Sequence, residues 1–504
     1  MRFIGVHSIH NSGVCCFNED GELTYYLERE RTTRFKRACD NRFDVDTMLQ
    51  AAGQPPISAQ DRIFTASHSA TMFGIVLGKF LDYAGEGPVC LTDRLPPCPI
   101  FHVSHHIAHI VASWMFREKE YKEPVLYLAL DGGGPTTNPA EISFYSAGLI
   151  SDSSLTEMEH IGEKLRYSSY ARLCDLGPVG SDPLAFPGKL MGMAGFVPRD
   201  AVHEMTWPKD FNAAEKEKLR ERHRREGLTP AVMASFASFY LGYLNDIKQY
   251  ITAVCSRLPV TSTVVVGGGT FLALELNNFL RGMNKEVIFG PGIDDSGQCL
   301  GSAAYGYFSH TGRWPKPLSS PFIQWRPPVT QPPIYLSPAE AAECLLRDNV
   351  LAVLHGSGEL GPRALGHRSF LARPSIAMAQ RVSGAIKKRE HYRPLAPVVT
   401  DRDFNKLFLG PRGHYMQYAN RCTPEARKLT PGIVHRDDTA RVQVLREQDD
   451  PWLYELLTLV GRATGAECLS NTSLNAPGKP ICNTLEDFRR EIFEFPDVVP
   501  VCFD

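Results

Sequence analysis

Val264-Val265-Val266-Gly267-Gly268-Gly269 is a β-branched run that ends in three residues without side chains. Such a run predicts a strand, and glycines placed directly after it let backbone N–H groups come close to an anion. The same grammar occurs twice upstream. Phe3–Val6 leads into His7-Ser8-Ile9-His10, and Leu126–Leu130 leads into Asp131-Gly132-Gly133-Gly134. Any one of these is an ordinary tight turn. Three of them before residue 270 predict loops that converge on one nucleotide in a cleft.

That arrangement resembles the actin, hexokinase and Hsp70 superfamily, in which two related α/β halves close on ATP. The resemblance implies phosphate contacts from Gly132, Gly133, Gly267, Gly268 and Gly269. Pro230–Cys255 carries apolar residues at helical spacing, which predicts a helix packed on one of the sheets.

Working outward, prolines at 315, 317, 321, 327, 328, 332, 333 and 338 exclude helix and central strand from that stretch. They divide the chain into residues 1–313, a linker over 314–337, and residues 338–504. The second unit also reads as α/β, with a helix over Ala339–Asp348 and a strand over Val350–Leu354. A chain of 504 residues needs more than one core, and 43% hydrophobic with 22% charged residues is ordinary globular composition. A net charge of −2 removes any general attraction for nucleic acid. The sequence holds no apolar run long enough to span a bilayer, which makes a cytoplasmic protein the expectation. Thirteen cysteines, none in a Cys-x-x-Cys arrangement, read as reduced and mostly buried thiols.

Four histidines lie in Phe101-His102-Val103-Ser104-His105-His106-Ile107-Ala108-His109, and on a helix His105 and His109 share a face at i and i+4. Two imidazoles on one face suit adjacent positions around a divalent ion, with carboxylates and phosphate oxygens completing the set. Asp131 and Asp295 occupy comparable strand-end positions beside glycines. His106 competes with His105 and His109 for the ion, and Asp294 competes with Asp295.

The densest signal is Gly358-Glu359-Leu360-Gly361-Pro362-Arg363-Ala364-Leu365-Gly366-His367-Arg368-Ser369, where Pro362 predicts the start of a helix facing an anion. Arg363 and Arg368 add fixed positive charge. Lys387-Lys388-Arg389-Glu390 with Arg393-Pro394 forms a second basic group, Thr439-Ala440-Arg441-Val442-Gln443 a third, and Asn471-Thr472-Ser473-Leu474-Asn475 adds short polar donors. Guanidiniums with hydroxyl and amide donors can hold a compact phosphate and a planar carbamoyl unit by directed bonds, whereas lysines alone hold charge without orientation. Lys388 and Arg381 read as solvated surface charge.

On these motifs, together with His10, Glu28-Arg29-Glu30-Arg31 with Lys36, His105-His106 with Ala108-His109, Gly188-Lys189 with Met191-Gly192, and Asp295 with Gly297, the chain resembles the carbamoyltransferase family of nodulation and antibiotic-tailoring enzymes. The resemblance spans nearly the whole length. It implies an N-terminal Kae1-like, actin/Hsp70-like duplicated α/β domain followed by a YrdC-like α/β domain. Carbamoyl phosphate is then expected at Arg363, Arg368, Ser369, Lys387, Arg389, Arg393, Thr439, Arg441, Asn471, Ser473 and Asn475. ATP is expected at the glycine loops and Lys189, and a divalent metal (Fe2+, Mg2+ or Mn2+) at His105, His109, Asp131 and Asp295. His10 and Lys36 are the expected catalytic residues, with His10 polarising the carbonyl or accepting a proton. The resemblance further implies a carbamoyl adenylate, a closed passage for carbamate, and an acceptor that is a hydroxyl (or amine) of a small-molecule natural product in secondary metabolism. No nucleic-acid or membrane partner is expected, and a homodimer is an open oligomeric option.

The chain departs from the family pattern at Asn11, Pro187, Leu272 and Asp438, positions that bear on the nucleotide contacts and the acceptor pocket. Two rival readings are an Hsp70-like or actin-like nucleotide-gated binder and a tRNA threonylcarbamoylation enzyme. The first needs no guanidinium cluster in a separate unit, and the second wants a basic face. Hydrogenase maturation would want Cys-x-x-Cys zinc modules.

Overall fold

The computed structural model describes residues 1–7, 11–36, 45–66, 97–135, 142–161, 186–203, 213–259, 261–326, 334–492 and 495–503. Strands β1 (Phe3–His7), β2 (Gly13–Phe17), β3 (Leu23–Glu28), β4 (Arg62–Thr65) and β5 (Ile100–His102) form a sheet in the order β3-β2-β1-β4-β5. Strands β6 (Val125–Pro135), β7 (Ile142–Ile150), β8 (Leu155–Ile161), β9 (Thr263–Gly267) and β10 (Glu286–Ile288) form a second in the order β10-β9-β6-β7-β8. Read from opposite ends, the two orders are the same. In both, the first strand pairs antiparallel with the second and parallel with the fourth. Two α/β halves of one topology therefore stand in this part of the chain, as the resemblance to the actin and Hsp70 superfamily implies.

The Val264–Val266 run is apolar without alternation because β9 is covered on both faces. Val264 and Val266 pack with Leu126, Leu128 and the long helix Pro230–Arg257, while Val265 packs with Tyr127, Ala129 and the helix His105–Trp114. A central strand of a covered sheet has this composition. The long helix starts where Pro230 sits at its first turn and Thr229 accepts the Val232 amide at 3.3 Å.

Close backbone contact sets the angle between the elements that carry the site. A Cβ on Gly301 would lie 1.8 Å from Ala108 O, so the helix Gln298–Thr311 lies directly on the His105 helix. Gly267 meets the His109 backbone in the same manner, at 2.9 Å.

A six-stranded mixed sheet organises the later residues, in the order β17-β13-β18-β12-β11-β19. Its strands are β11 (Val350–His355), β12 (Arg368–Ala372), β13 (Ala396–Thr400), β17 (Gln443–Leu445), β18 (Cys468–Ser473) and β19 (Val498–Phe503). Beside it, β14 (Phe408–Leu409), β15 (Ala419–Cys422) and β16 (Thr439–Arg441) make a small antiparallel sheet. The helix before β11 runs over Pro338–Leu346, closed at its start by a reciprocal Ser337–Glu340 capping box.

Two expectations are corrected. Asp131-Gly132-Gly133-Gly134 is not a bare loop, because β6 continues through it with a register shift between Leu130 and Gly134. No helix begins at Pro362 either. Glu359 Oε1 accepts the amides of Leu365 (2.8 Å), His367 (3.0 Å) and Arg368 (3.0 Å), and the left-handed backbone of Gly361 and Gly366 bends the chain round that carboxylate. The proline-rich stretch, in its described part, is bound to the end of the His105 helix and to β3. Leu318 N–H donates to Met115 O at 2.7 Å and Trp325 N–H to Tyr26 O at 2.7 Å. Among the described residues no helix is long and apolar enough to cross a membrane.

Candidate functional site

The His105 helix, the end of β6 and the turn Asp295–Gly297 at the head of the Gln298 helix bring four side chains together. One donor atom from each of His105, His109, Asp131 and Asp295 lies within 4.8 Å of the others. His105 Nε2 stands 3.0 Å from Asp131 Oδ2 and 3.5 Å from Asp295 Oδ1. His109 Nε2 stands 3.5 Å and 3.2 Å from the same two oxygens. The spacing at i and i+4 on a helix is what turns both rings to one side.

The rival ligands point elsewhere. His106 Nδ1 lies 3.2 Å from Ser146 Oγ, and Asp294 caps the turn by accepting the Ser296 amide at 3.2 Å. His7, which the sequence reading left aside, reaches the cluster with Nε2 3.7 Å from Asp295 Oδ2. Its nearness comes from β1 lying against the helix Gln298–Thr311, where a Cβ on Gly5 would sit 1.8 Å from Cys299 O, a long-range relationship that no local spacing announces.

His105 Nδ1 lies 3.3 Å from the Ala66 carbonyl, which orients the ring so that Nε2 faces His109 Nε2 across 3.2 Å as well as the two carboxylates. A cation between them is what this arrangement asks for, whether a proton or a metal. Burial works against charge on His109, but hydrogen bonding to Asp131 and Asp295 overrides it and raises the imidazole to about 9. Burial likewise works to raise Asp131, and His105 and His109 reverse it and hold the carboxyl well below the usual range. Separations of 3.0–3.5 Å are those of ligand atoms sharing one cation at about 2.1 Å, so the donor set fits a divalent metal. A second grouping, His355, His367 and Asp450, differs in kind. Its imidazoles are stacked with centroids 4.3 Å apart at 29°, and it offers one carboxylate, Asp450, whose Oδ2 stands 3.7 Å from His355 Nδ1 and 3.5 Å from His367 Nε2.

Of the glycines expected to hold ATP, Gly267 and Gly268 are explained by packing. A Cβ on Gly268 would lie 2.1 Å from Leu130 O. Gly269 donates its amide to Asp131 Oδ1 at 3.1 Å, and Gly132 and Gly133 follow Asp131 along β6. Lys189 pairs with Glu390 at 2.7 Å. Lys36 lines a cavity of about 680 Å³ whose walls come from both the early and the late residues. His10 lies outside the described residues.

That cavity gathers Arg363, Lys387, Arg389, Arg393, Thr439, Arg441, Asn471, Ser473 and Asn475. Burial draws Arg389 down to about 9, with Arg393 and Arg363 adding to it and Glu390 opposing. Arg441 is lowered by burial and then by Arg363, Arg389 and Arg393, and its Nε has no hydrogen-bond partner among the described residues. Glu390 sits among them but is already engaged by Lys189 at 2.7 Å and Arg393 at 3.3 Å. Guanidiniums held this close repel one another, and an anion in their midst would relieve all of them.

Lys387 has a different part. Its ammonium donates to Ser473 O at 2.6 Å, to Asn475 O at 2.8 Å and to Asn475 Oδ1, so it ties the Asn471–Asn475 segment to the wall. Asn471 Nδ2 donates to Ala364 O at 3.1 Å and to Gln443 Oε1 at 3.0 Å, which braces the loop bearing Arg363.

Arg368 and Ser369 are corrections to the expected anion set. Arg368 is 1% exposed and donates to the carbonyls of His355, Gly356 and His367 at 2.8–2.9 Å. Ser369 Oγ accepts the Gly366 amide at 3.0 Å. Neither residue lines the cavity: at the start of β12 the Arg368 guanidinium is taken up by backbone carbonyls and the Ser369 hydroxyl by the Gly366 amide.

Sequence reasoning assigned no role to Glu28, Arg31, Arg34 and Glu359. Arg34 bonds Glu491 at 2.8 Å and the carbonyls of Pro480 and Ile481 at 2.9 and 2.6 Å, across more than 440 residues of chain. Burial pushes Glu28 up to about 7, against the pull of Arg31. The i, i+3 spacing of Glu28 and Arg31 was the one local signal available.

Comparison with known proteins places these features. Residues 342–496 match the family model described as Carbamoyltransferase C-terminus. Nodulation protein U of Rhizobium tropici is 30% identical, over 100% of this chain and 93% of the relative. The 3'-hydroxymethylcephem-O-carbamoyltransferase of Amycolatopsis lactamdurans is 31% identical over 46% of this chain and 46% of its own length. Among solved structures, full-length HypF in its phosphate- and nucleotide-bound form shares 13% identity over 62% of this chain and 46% of that one, with a TM-score of 0.36.

Proposed function

The chain belongs to the carbamoyltransferase family that includes nodulation protein U, and from that premise we propose that it carries a carbamoyl group from carbamoyl phosphate to a hydroxyl (or amine) of a small-molecule natural product, at the expense of ATP. One observation carries the reading: Arg363, Arg389, Arg393 and Arg441 converge on a single cavity, in which Arg389 and Arg441 are depressed by burial and by the neighbouring guanidiniums, with Glu390 as a partly committed counter-charge.

In the first step water attacks carbamoyl phosphate in the guanidinium cavity, releasing inorganic phosphate and carbamate. The guanidiniums hold the phosphate oxygens, and the segment fixed by Lys387 presents amide and hydroxyl groups to the planar carbamoyl end. A carbamate oxygen then attacks the α-phosphorus of ATP, forming carbamoyl adenylate and expelling pyrophosphate. The acceptor oxygen finally attacks the carbamoyl carbon, AMP leaves, and the acceptor proton passes to a base, the role proposed for His10.

A divalent cation held by His105, His109, Asp131 and Asp295 would supply Lewis-acid stabilisation to phosphate oxygens. The described protein groups do the rest of the positioning. Gly269 and Ala66 orient Asp131 and His105 through backbone bonds, and the cavity that would hold the donor is lined by both parts of the chain.

Purified protein incubated with carbamoyl phosphate and ATP is expected to release inorganic phosphate and pyrophosphate, and Arg363→Ala to lose the phosphate release. Unchanged release in that variant would remove Arg363 from the donor site. No release from the wild type, with or without a panel of hydroxylated acceptors, would favour a nucleotide-gated binder instead.

A further inference from the structure

We infer that Glu28 and Arg31 are positioning residues that hold the loop bearing Arg363 against the loop bearing Asp295, and so couple the two halves of the reaction. This role presupposes the carbamoyl-transfer chemistry proposed above.

Glu28 ends β3 and is 4% exposed. A carboxylate in that position is costly unless its oxygens are satisfied. Glu28 Oε1 accepts the Gly361 amide at 2.8 Å, and Oε2 faces Arg31 Nε at 3.3 Å. Arg31, 1% exposed, donates from Nη2 to Glu359 O at 3.2 Å and Gly361 O at 3.1 Å. Between them the two side chains bind both polar faces of the turn that precedes Arg363.

Tyr26 links Glu28 to the other loop. Tyr26 Oη lies 3.1 Å from Glu28 Oε1 and 2.8 Å from Ser296 O, the residue after Asp295. The two loops also abut directly. A Cβ on Gly361 would lie 2.2 Å from Pro291 O, and Leu360, fully buried, packs against Gly292. Gly361 takes a positive φ of 89°, which is what lets the turn press so close. Gln324 closes the ring, accepting the Glu28 amide at 3.2 Å while its own N–H donates to Gly358 O at 3.0 Å.

A buried ion pair adds little stability compared with well-packed apolar groups, so its value here is directional. Glu28 Oε1 and Arg31 Nη2 hold the Glu359–Gly361 turn, Glu28 Oε2 and Arg31 Nε hold the two side chains to each other, and Tyr26 carries the link from Glu28 to Ser296. Arg363 stands two residues from one end of that relationship, and Asp295 one residue from the other. If the turn drifts, carbamate formed beside Arg363 is no longer passed to the Asp295 side. It escapes to water, takes up a proton and breaks down to ammonia and carbon dioxide.

The test measures inorganic phosphate, pyrophosphate and ammonia together from carbamoyl phosphate and ATP, in wild type, Glu28→Ala, Glu28→Gln and Arg31→Met. The wild type is expected to make one pyrophosphate per phosphate. In Glu28→Ala and Arg31→Met the pyrophosphate-to-phosphate ratio is expected to fall about ten- to a hundredfold, with ammonia appearing in its place and the KM for carbamoyl phosphate little changed. Glu28→Gln keeps an acceptor for Gly361 and loses the charge facing Arg31, so its ratio falls less. It decides the matter if either larger change fails to fold. Variants in which both products fall at an unchanged ratio, or do not fall at all, overturn this role alone. A wild type that releases neither product overturns the carbamoyl-transfer reading and this role with it.

Discussion

Asp131 accepts the Gly269 amide at 3.1 Å and so joins the bulged end of β6 to the turn after β9, while its other oxygen faces His105 at 3.0 Å. The carboxylate is therefore oriented before any ion arrives. Protein stripped with chelator and then equilibrated separately with Fe2+, Mn2+ and Mg2+ is expected to retain one equivalent of at least one of them. Asp131→Asn keeps an acceptor for Gly269 and removes the charge, so metal affinity should fall about 100-fold or more. Elemental analysis after gel filtration reads this directly, and equal retention in the variant would contradict the assignment.

Arg441 and Arg368 should separate cleanly. Arg441→Met is expected to weaken binding of inorganic phosphate about 10- to 100-fold, the loss of a charge-assisted hydrogen bond worth about 1.5–3 kcal/mol. Arg368→Met should leave phosphate affinity of the folded protein within about twofold and lower Tm instead, because its guanidinium serves three backbone carbonyls. Isothermal titration with phosphate and a thermal melt distinguish the two. A binding loss confined to Arg368→Met would reverse the placement.

Gly267→Ala should destabilise the fold by about 1–3 kcal/mol, the usual cost of forcing a methyl into filled space. The new Cβ would lie 2.9 Å from the His109 backbone. Chemical denaturation should show a lower midpoint, and metal retention should fall with it because His109 must move. A variant as stable as wild type would mean that the His105 helix has room to shift.

Glu390 offers a pH signature. Burial opposes its ionisation, but Lys189 and Arg393 prevail and lower the carboxyl to about 2. A depressed carboxylate contributes stability above its unfolded value, near 4.5, and that contribution disappears as pH falls through about 2. Its side chain is 30% exposed, so the pair is worth about 1 kcal/mol or less. Glu390→Gln is therefore expected to be slightly less stable than wild type at pH 7, with the difference shrinking from pH 4.5 towards pH 2. A difference independent of pH would show that the charge of Glu390 is not what matters.

Much of the candidate site could be read along the chain because its spacing is local. His105 and His109 share a helical face whatever surrounds them, and Arg389 and Arg393 lie close enough in sequence to reach one hollow. The glycines after the β-branched Val264–Val266 run announced the end of β9 at Gly267. What could not be read depended on direction within an element. Arg368 carries the same charge as Arg363, yet backbone carbonyls take up its guanidinium, while Arg363 sits on a turn wound round Glu359. Pro362 looks like a helix start, and no residue near it in sequence reveals that Glu359 claims the amides a helix would need.

By itself the sequence determined the inventory: which side chains can ligate a cation, which can hold an anion, and where strands and proline-rich chain must fall. Tertiary structure alone decided which of them meet. Glu28 with Gly361, Arg34 with Glu491 and His7 with Asp295 are each separated by more than 280 residues. The physical reason is that periodicity and propensity act over a few residues, whereas hydrogen bonds and packing act over a few ångströms, and only folding converts one distance into the other.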